Sequence, residues 1–223
     1  MKIKFGSLVV AGRGKIGGHV ASQNRSGAYL RTKVTPSNPS TGFQVAARAL
    51  LAGLSSAWRS LTAAQRTAWN AAVGSYQRTN VFGDLVNPSG KNLYTRLNAN
   101  LASIGVASIG TPPLPVAVVE PVTVITTMTA LAFTLTPTSL DAGQDYQIWV
   151  TDPMSAGISN WGNRYRLLTT ENGGTATPWD IHAAYLARFG PRVAGQQIAV
   201  WIVPIESATG QNGQGSEAAQ LVA

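Results

Sequence analysis

The hydrophobic period of this chain changes once, across the stretch GTPPLPV at residues 110–116, and that change limits the fold more than any other feature. Before it, apolar residues recur at helical spacing. After it, short β-branched and aromatic runs alternate with polar residues. Three prolines stiffen the stretch itself toward polyproline II, which predicts a semi-rigid spacer between two domains. The fold class expected is a multi-part α+β chain. A basic, Gly-rich arm and β-hairpin occupy residues 1–38, a region of three helices residues 39–110, and an antiparallel immunoglobulin or fibronectin III-like β-sandwich with one inserted helix residues 111–223.

Each part has local signals. Around Arg25-Ser26-Gly27, two strand-like runs at 18–24 and 28–34 read as a hairpin, with glycine where a positive φ is needed. STGFQVAARALLAGLSSAWRSL places Phe43, Ala46 or Ala47, Leu50, Leu51, Leu54 and Trp58 on one helix face, with Ser40 or Thr41 as cap. Thr62 and Gln65 have capping-box spacing and open a second helix over about 63–73, with Trp69 facing Trp58. Ser89 caps a third helix, which carries Leu93, Leu97, Leu101 and Ile104 and stops at Gly105. Beyond the prolines, PVTVITT, ALAFTLTP, DYQIWVTD, RYRLLTT, QQIAVWIVPI and EAAQLVA read as strands, the basis for expecting a sandwich. TPWDIHAAYLARFGP predicts a helix with Thr177 at N-cap, Pro178 at N1 and Gly190 as its stop.

Charge is distributed unevenly. Residues 1–110 hold thirteen Lys and Arg against one acid, Asp84, whereas residues 111–223 hold four Arg against eight acids. Such asymmetry marks a basic region that faces an anionic partner. Only 12% of residues are charged, so the surface is either covered by small polar residues or partly hidden against other subunits. No apolar run of about eighteen residues is present, so no membrane span is expected. The N-terminal residues read as mature chain, because Arg13 and Lys15 interrupt the short apolar patch.

Chemistry-bearing motifs are few. Gly12, Gly14 and Gly17 have the G-x-G-x-x-G spacing, but GHVASQN is a poor helix opener, and Thr32-Lys33-Val34 stands where the ribose-binding acid belongs. The two histidines, His19 and His182, have no ligand cluster around them, no G-x-S-x-G elbow occurs, and the absence of cysteine excludes thiol chemistry. No enzyme activity, cofactor or metal is therefore expected. Trp58, Trp69, Trp149 and Trp201 fall in core patterns, which leaves Trp161 and Trp179 as candidates for exposed contact. The partner-contact candidates are Arg13, Lys15, Arg25, Arg31 and Lys33, with Tyr29 and Leu30 as apolar support. An arm of this composition is costly to order alone and is expected to become ordered on a partner.

GRGKIGGHVASQNRSGAYLRTKVTPSNPSTGFQ at residues 12–44, LSSAWRSLTAAQRTAWNAAV at 54–73, KNLYTRLNANL, and YLARFGPRVAGQQIAVWIVPIESATG resemble a family of poorly characterised proteins encoded in bacteriophage and prophage genomes. The resemblance implies a virion-associated structural protein, a multicopy subunit of head, neck or tail. Its partners would be copies of itself and other virion proteins, with no membrane involved. It carries over no catalytic residue. Two alternatives use the same features: a nucleic-acid-binding protein acting through the basic half, and a host-surface adhesion module presenting Trp161.

Overall fold

A computed structural model describes residues 2–3, 12–34 and 38–223. Leu8, Val9 and Val10, which precede the glycine motif, and Pro36 lie outside the described residues. The protein is mixed α+β, with four α-helices and several antiparallel sheets among the described residues.

The amino-terminal part is a four-stranded sheet of β1 (Lys2–Ile3), β2 (Gly14–Ile16), β3 (His19–Asn24) and β4 (Gly27–Thr32), in the order β1-β4-β3-β2. The described glycine stretch, expected as an arm without order of its own, is instead strand and turn. β2 pairs with β3 in the register Gly14↔Ala21, Lys15↔Val20 and Ile16↔His19, so its backbone groups are satisfied by a ladder. Gly17 at φ 57° supplies the left-handed residue that the tight connection needs. At the next turn Asn24 Oδ1 accepts from the Ser26 amide at 2.9 Å, and Gly27 has φ 107°.

Three helices follow: α1 (Gly42–Ser60), α2 (Ala63–Ala72) and α3 (Gly90–Ser103). A 3₁₀ turn, Val73–Tyr76, and a short hairpin of β5 (Arg78–Thr79) and β6 (Leu85–Val86) separate α2 from α3. Thr41 with Gln44 and Thr62 with Gln65 form complete capping boxes at the starts of α1 and α2, while Ser89 caps α3. Their shared core holds Leu54, Trp69, Tyr76, Leu93, Tyr94 and Leu97. Trp69 stands edge-on to Tyr94 at 5.3 Å, and Trp58 lies 5.4 Å from the same ring. The proline stretch is tied to the helical part. Trp69 Nε1 donates to the Gly110 carbonyl and the Tyr76 hydroxyl to the Pro113 carbonyl, both at 2.9 Å. Buried Asn98 grips Ile109 through both backbone groups. These bonds strap the segment across the helices.

The carboxyl-terminal part contains β7 (Ile125–Met128), β8 (Phe133–Leu135), β9 (Gln144–Val150), β10 (Met154–Ser155), β11 (Arg166–Asn172), β12 (Trp179–Asp180), α4 (His182–Phe189), β13 (Gln196–Glu206) and β14 (Ser216–Leu221). One sheet pairs β13 with β9, β10 and β14, and β9 in turn with β11; a second runs β12-β8-β7. Residue alternation sets what is buried. Tyr146, Ile148 and Val150 of β9 and Ile198, Val200 and Ile202 of β13 meet Phe133, Leu135, Trp179 and Tyr185 in one apolar core.

The same alternation corrects two expectations about tryptophan. Trp149 and Trp201 sit opposite each other in register on the other face of the sheet, half-buried, with ring centroids 6.2 Å apart. Trp179, a candidate for exposure, is only 2% exposed. The helix expected from Pro178 begins at His182. Trp179 and Asp180 are drawn into extended pairing with Leu135 and Thr134, and the Asp180 carboxylate accepts from the His182 amide at 2.9 Å. Burial of an indole plus two sheet pairings outweighs the weak local preference for an earlier helix start.

Helix α3 joins the two parts. Gln147 Nε2 donates to Ser103 Oγ at 2.6 Å, and Asn100 Nδ2 to the Gly210 carbonyl at 2.8 Å. Gly210 has φ 72°, and a Cβ there would lie 2.3 Å from the Leu97 carbonyl oxygen. Gly210→Ala is therefore expected to cost about 2–4 kcal/mol through strain and overpacking, lowering the thermal midpoint by roughly 4–16 °C. A calorimetric scan unchanged from that of the parent would contradict this close approach.

Candidate functional site

Strand periodicity sorts the partner-contact residues onto two faces of the amino-terminal sheet. The register Lys15↔Val20↔Arg31 puts Lys15 and Arg31 on one face, flanking Val20, with Tyr29 and Ser22 beside them. Leu30 lies on the opposite face, level with Ala21, the one buried side chain among the described residues of this sheet. Arg25 is in the β3–β4 turn, Arg13 precedes β2, and Lys33 follows β4, its amide donating to the Gly18 carbonyl at 2.8 Å. Lys15, Tyr29 and Arg31 thus converge on one face, while Leu30 serves the other. A sheet with so little of its own apolar surface covered depends on further packing for stability.

Helix α1 is covered over only part of the apolar face that its periodicity defines. The stripe is buried only near the carboxyl end, where Leu54, Ala57, Trp58 and Leu61 meet the core around Trp69 and Tyr94. Over the earlier turns the same stripe is bare: Phe43 is 74% exposed, Leu51 52%, and Ala46, Ala47 and Leu50 are also exposed. The reason is length. Nineteen residues make a helix of about 28 Å, whereas the fourteen-residue α3 against which it packs covers about 21 Å. At the far end the Arg188 guanidinium lies over the Phe43 ring, 4.8 Å from its centroid, where Phe43 borders clefts shared with Leu168 and Phe189.

Two adjoining clefts near the hairpin tip were not foreseen. The first, of about 300 Å³, lies between the β3–β4 turn, the β5–β6 hairpin and the start of α3, and is lined by Arg25, Arg78, Thr79, Asn80 and Ser89 among others. The second, of about 460 Å³, shares Arg78 and adds Arg96, Gln77, Gln211, Asn212 and Gln214. No Asp or Glu lines either cleft. Arg96 lies 5.7 Å over the Tyr76 ring. Partial burial lowers the affinity of its guanidinium for the proton, and the Arg78 cation lowers it further, partly opposed by Tyr76. The available sequence signal was the lack of any acid before Asp84, but spacing alone did not bring Arg25, Arg78 and Arg96 together.

Elsewhere, Arg192 is 3% exposed, donates through Nε and Nη2 to the Thr129 carbonyl and through Nη2 to His182 Nδ1 at 2.7 Å, and lies between Phe133 and Tyr185. That geometry closes the core beneath α4. Trp161, the candidate for exposed contact, is half-buried, and its side chain reaches the Tyr165 hydroxyl, which donates to Glu217 at 3.0 Å. Tyr165 in turn lies 5.7 Å from the Trp201 ring, so these aromatics form one strip on the outer face of the sheet. Among the described residues no three His, Cys, Asp or Glu are grouped to hold a metal, and no helix is long and apolar enough to cross a membrane. Compared with protein families, curated proteins and solved structures, the chain shows no match.

Proposed function

We propose that this chain is a multicopy structural subunit of a bacteriophage particle, joined to its neighbours through the amino-terminal sheet and α1. The observation that carries the reading is the bare half of the α1 stripe. A stripe that packs over its last turns and continues uncovered over its first is a contact waiting for a partner of similar apolar character. The occupant is a second copy of the chain. Arg48 and Arg59 lie on α1 and no acid precedes Asp84, whereas eight of the nine acids lie beyond residue 110. Of these, Glu120, Asp141 and Glu206 all act on the Tyr146 hydroxyl and so gather at one end of the carboxyl-terminal part. Opposite charges on the two halves favour head-to-tail contacts, which close into rings or extend as filaments.

In this reading the two-sheet carboxyl-terminal part is an immunoglobulin-like module that packs around the particle or projects from it, a role assigned by analogy of fold. Deleting residues 1–38 is expected to remove the protein from particles while leaving residues 39–223 folded. Mass spectrometry of purified particles checks this, and full occupancy by the truncated chain would overturn it. A second reading, host-surface adhesion, draws on the strip of Trp161, Tyr165 and Trp201. It requires that Trp161→Ala particles lose adsorption to the host.

A further inference from the structure

We infer that the two clefts sharing Arg78 form one site for phosphate oxyanions, shaped for consecutive phosphates of a nucleic-acid backbone. Arg25, Arg78 and Arg96 come from three separate elements, the β3–β4 turn, β5 and α3, and line two clefts that share Arg78 and have no lining carboxylate. Among the described residues Arg164 and Asp152 form an ion pair at 3.5 Å, far along the chain from these arginines. Arg96 is held half-buried against Tyr76 with another cation close by, an arrangement whose electrostatic cost an anion would relieve.

The remaining lining specifies the anion. Thr79 and Ser89 offer hydroxyls, and Gln77 and Gln211 offer amide donors, while the Asn80 amide donates to the Asp84 carboxylate at 3.1 Å and the Asn212 amide to the Gly213 carbonyl at 3.3 Å. Guanidinium forks accompanied by hydroxyl and amide donors match the several acceptor oxygens of a phosphate. Two clefts in series, together about 760 Å³, exceed what a single phosphate fills. The donors carry no base-reading geometry, so binding would be independent of sequence and steep in salt. This site lies apart from the α1 stripe, and it stands or falls independently of assembly.

The test uses the full chain. Fluorescence anisotropy is measured with a labelled single-stranded deoxyoligonucleotide, with tripolyphosphate and poly-glutamate as competitors. Arg78→Gln/Arg96→Gln is expected to weaken oligonucleotide binding about tenfold or more, and to reduce the log–log salt slope by about 1.4 for two lost contacts. Arg25→Gln, at an exposed turn where the fold is indifferent to the side chain, is expected to weaken it about fivefold. The charge-matched control Arg59→Gln/Arg66→Gln should stay within about twofold. Competition by tripolyphosphate at concentrations comparable to those of the oligonucleotide phosphates would identify free polyphosphate as the source, whereas resistance to it would identify the nucleic-acid strand; both support the site. Equal competition by poly-glutamate, unchanged binding by all cleft variants, or no binding of any probe at low salt would overturn it.

Discussion

Trp69→Ala is expected to destabilise the helical part of the molecule by about 3–5 kcal/mol. The indole is 0% exposed, stands edge-on to Tyr94 at 5.3 Å, and donates through Nε1 to the Gly110 carbonyl at 2.9 Å. Truncation removes a large buried ring, for which about 3–5 kcal/mol is typical, and releases one of the bonds that straps the proline segment to the helices. Against a total stability of about 5–15 kcal/mol, that loss leaves little reserve. The checking measurement is a urea titration followed by circular dichroism. Its midpoint should fall sharply for Trp69→Ala, whereas Trp161→Ala, at a half-buried position outside both apolar cores, should change stability by about 1 kcal/mol or less. A loss below about 1 kcal/mol at Trp69 would show that the ring does not organise this core.

Much of the architecture was legible because it rests on local chemistry. The capping box of Thr62 and Gln65, the Ser89 cap and the alternating runs of β9 and β13 all act within a few residues, and each element lies where those signals place it. What was not legible depended on which face met which partner. Periodicity identified the stripe on α1, but only tertiary packing decided that Leu54 is covered and Leu51 is not. Trp149 and Trp201 looked like core because they sit in apolar strands, yet the register of β9 on β13 turns both to the outer face. The Gly-rich stretch lacks β-propensity of its own, so its sequence alone predicts an arm. Its strand character comes from pairing with β3, a non-local gain. For the site, Lys15, Tyr29 and Arg31 follow from alternation, whereas the grouping of Arg25 with Arg78 and Arg96 requires three distant segments to meet.

The second large effect concerns α1. Ala47→Glu/Leu51→Glu places two carboxylates on the bare stripe, at exposed positions one turn apart. Neither residue belongs to the core around Trp69, so the monomer should keep its stability to within about 1 kcal/mol. Association is a different matter. Burying two carboxylates against apolar surface without partners costs several kcal/mol, enough to weaken a contact between copies by a factor of about a thousand. Particles carrying this variant should lack the protein even though the purified chain melts normally.

Sedimentation velocity of the purified full chain, run beside Ala47→Glu/Leu51→Glu across a concentration series, tests self-association through α1 most directly. The parent chain should shift with concentration toward multiples of its 23.4 kDa mass, and the variant should stay at 23.4 kDa throughout. A parent chain that remains monomeric at every concentration, or a variant that associates as the parent does, would contradict it.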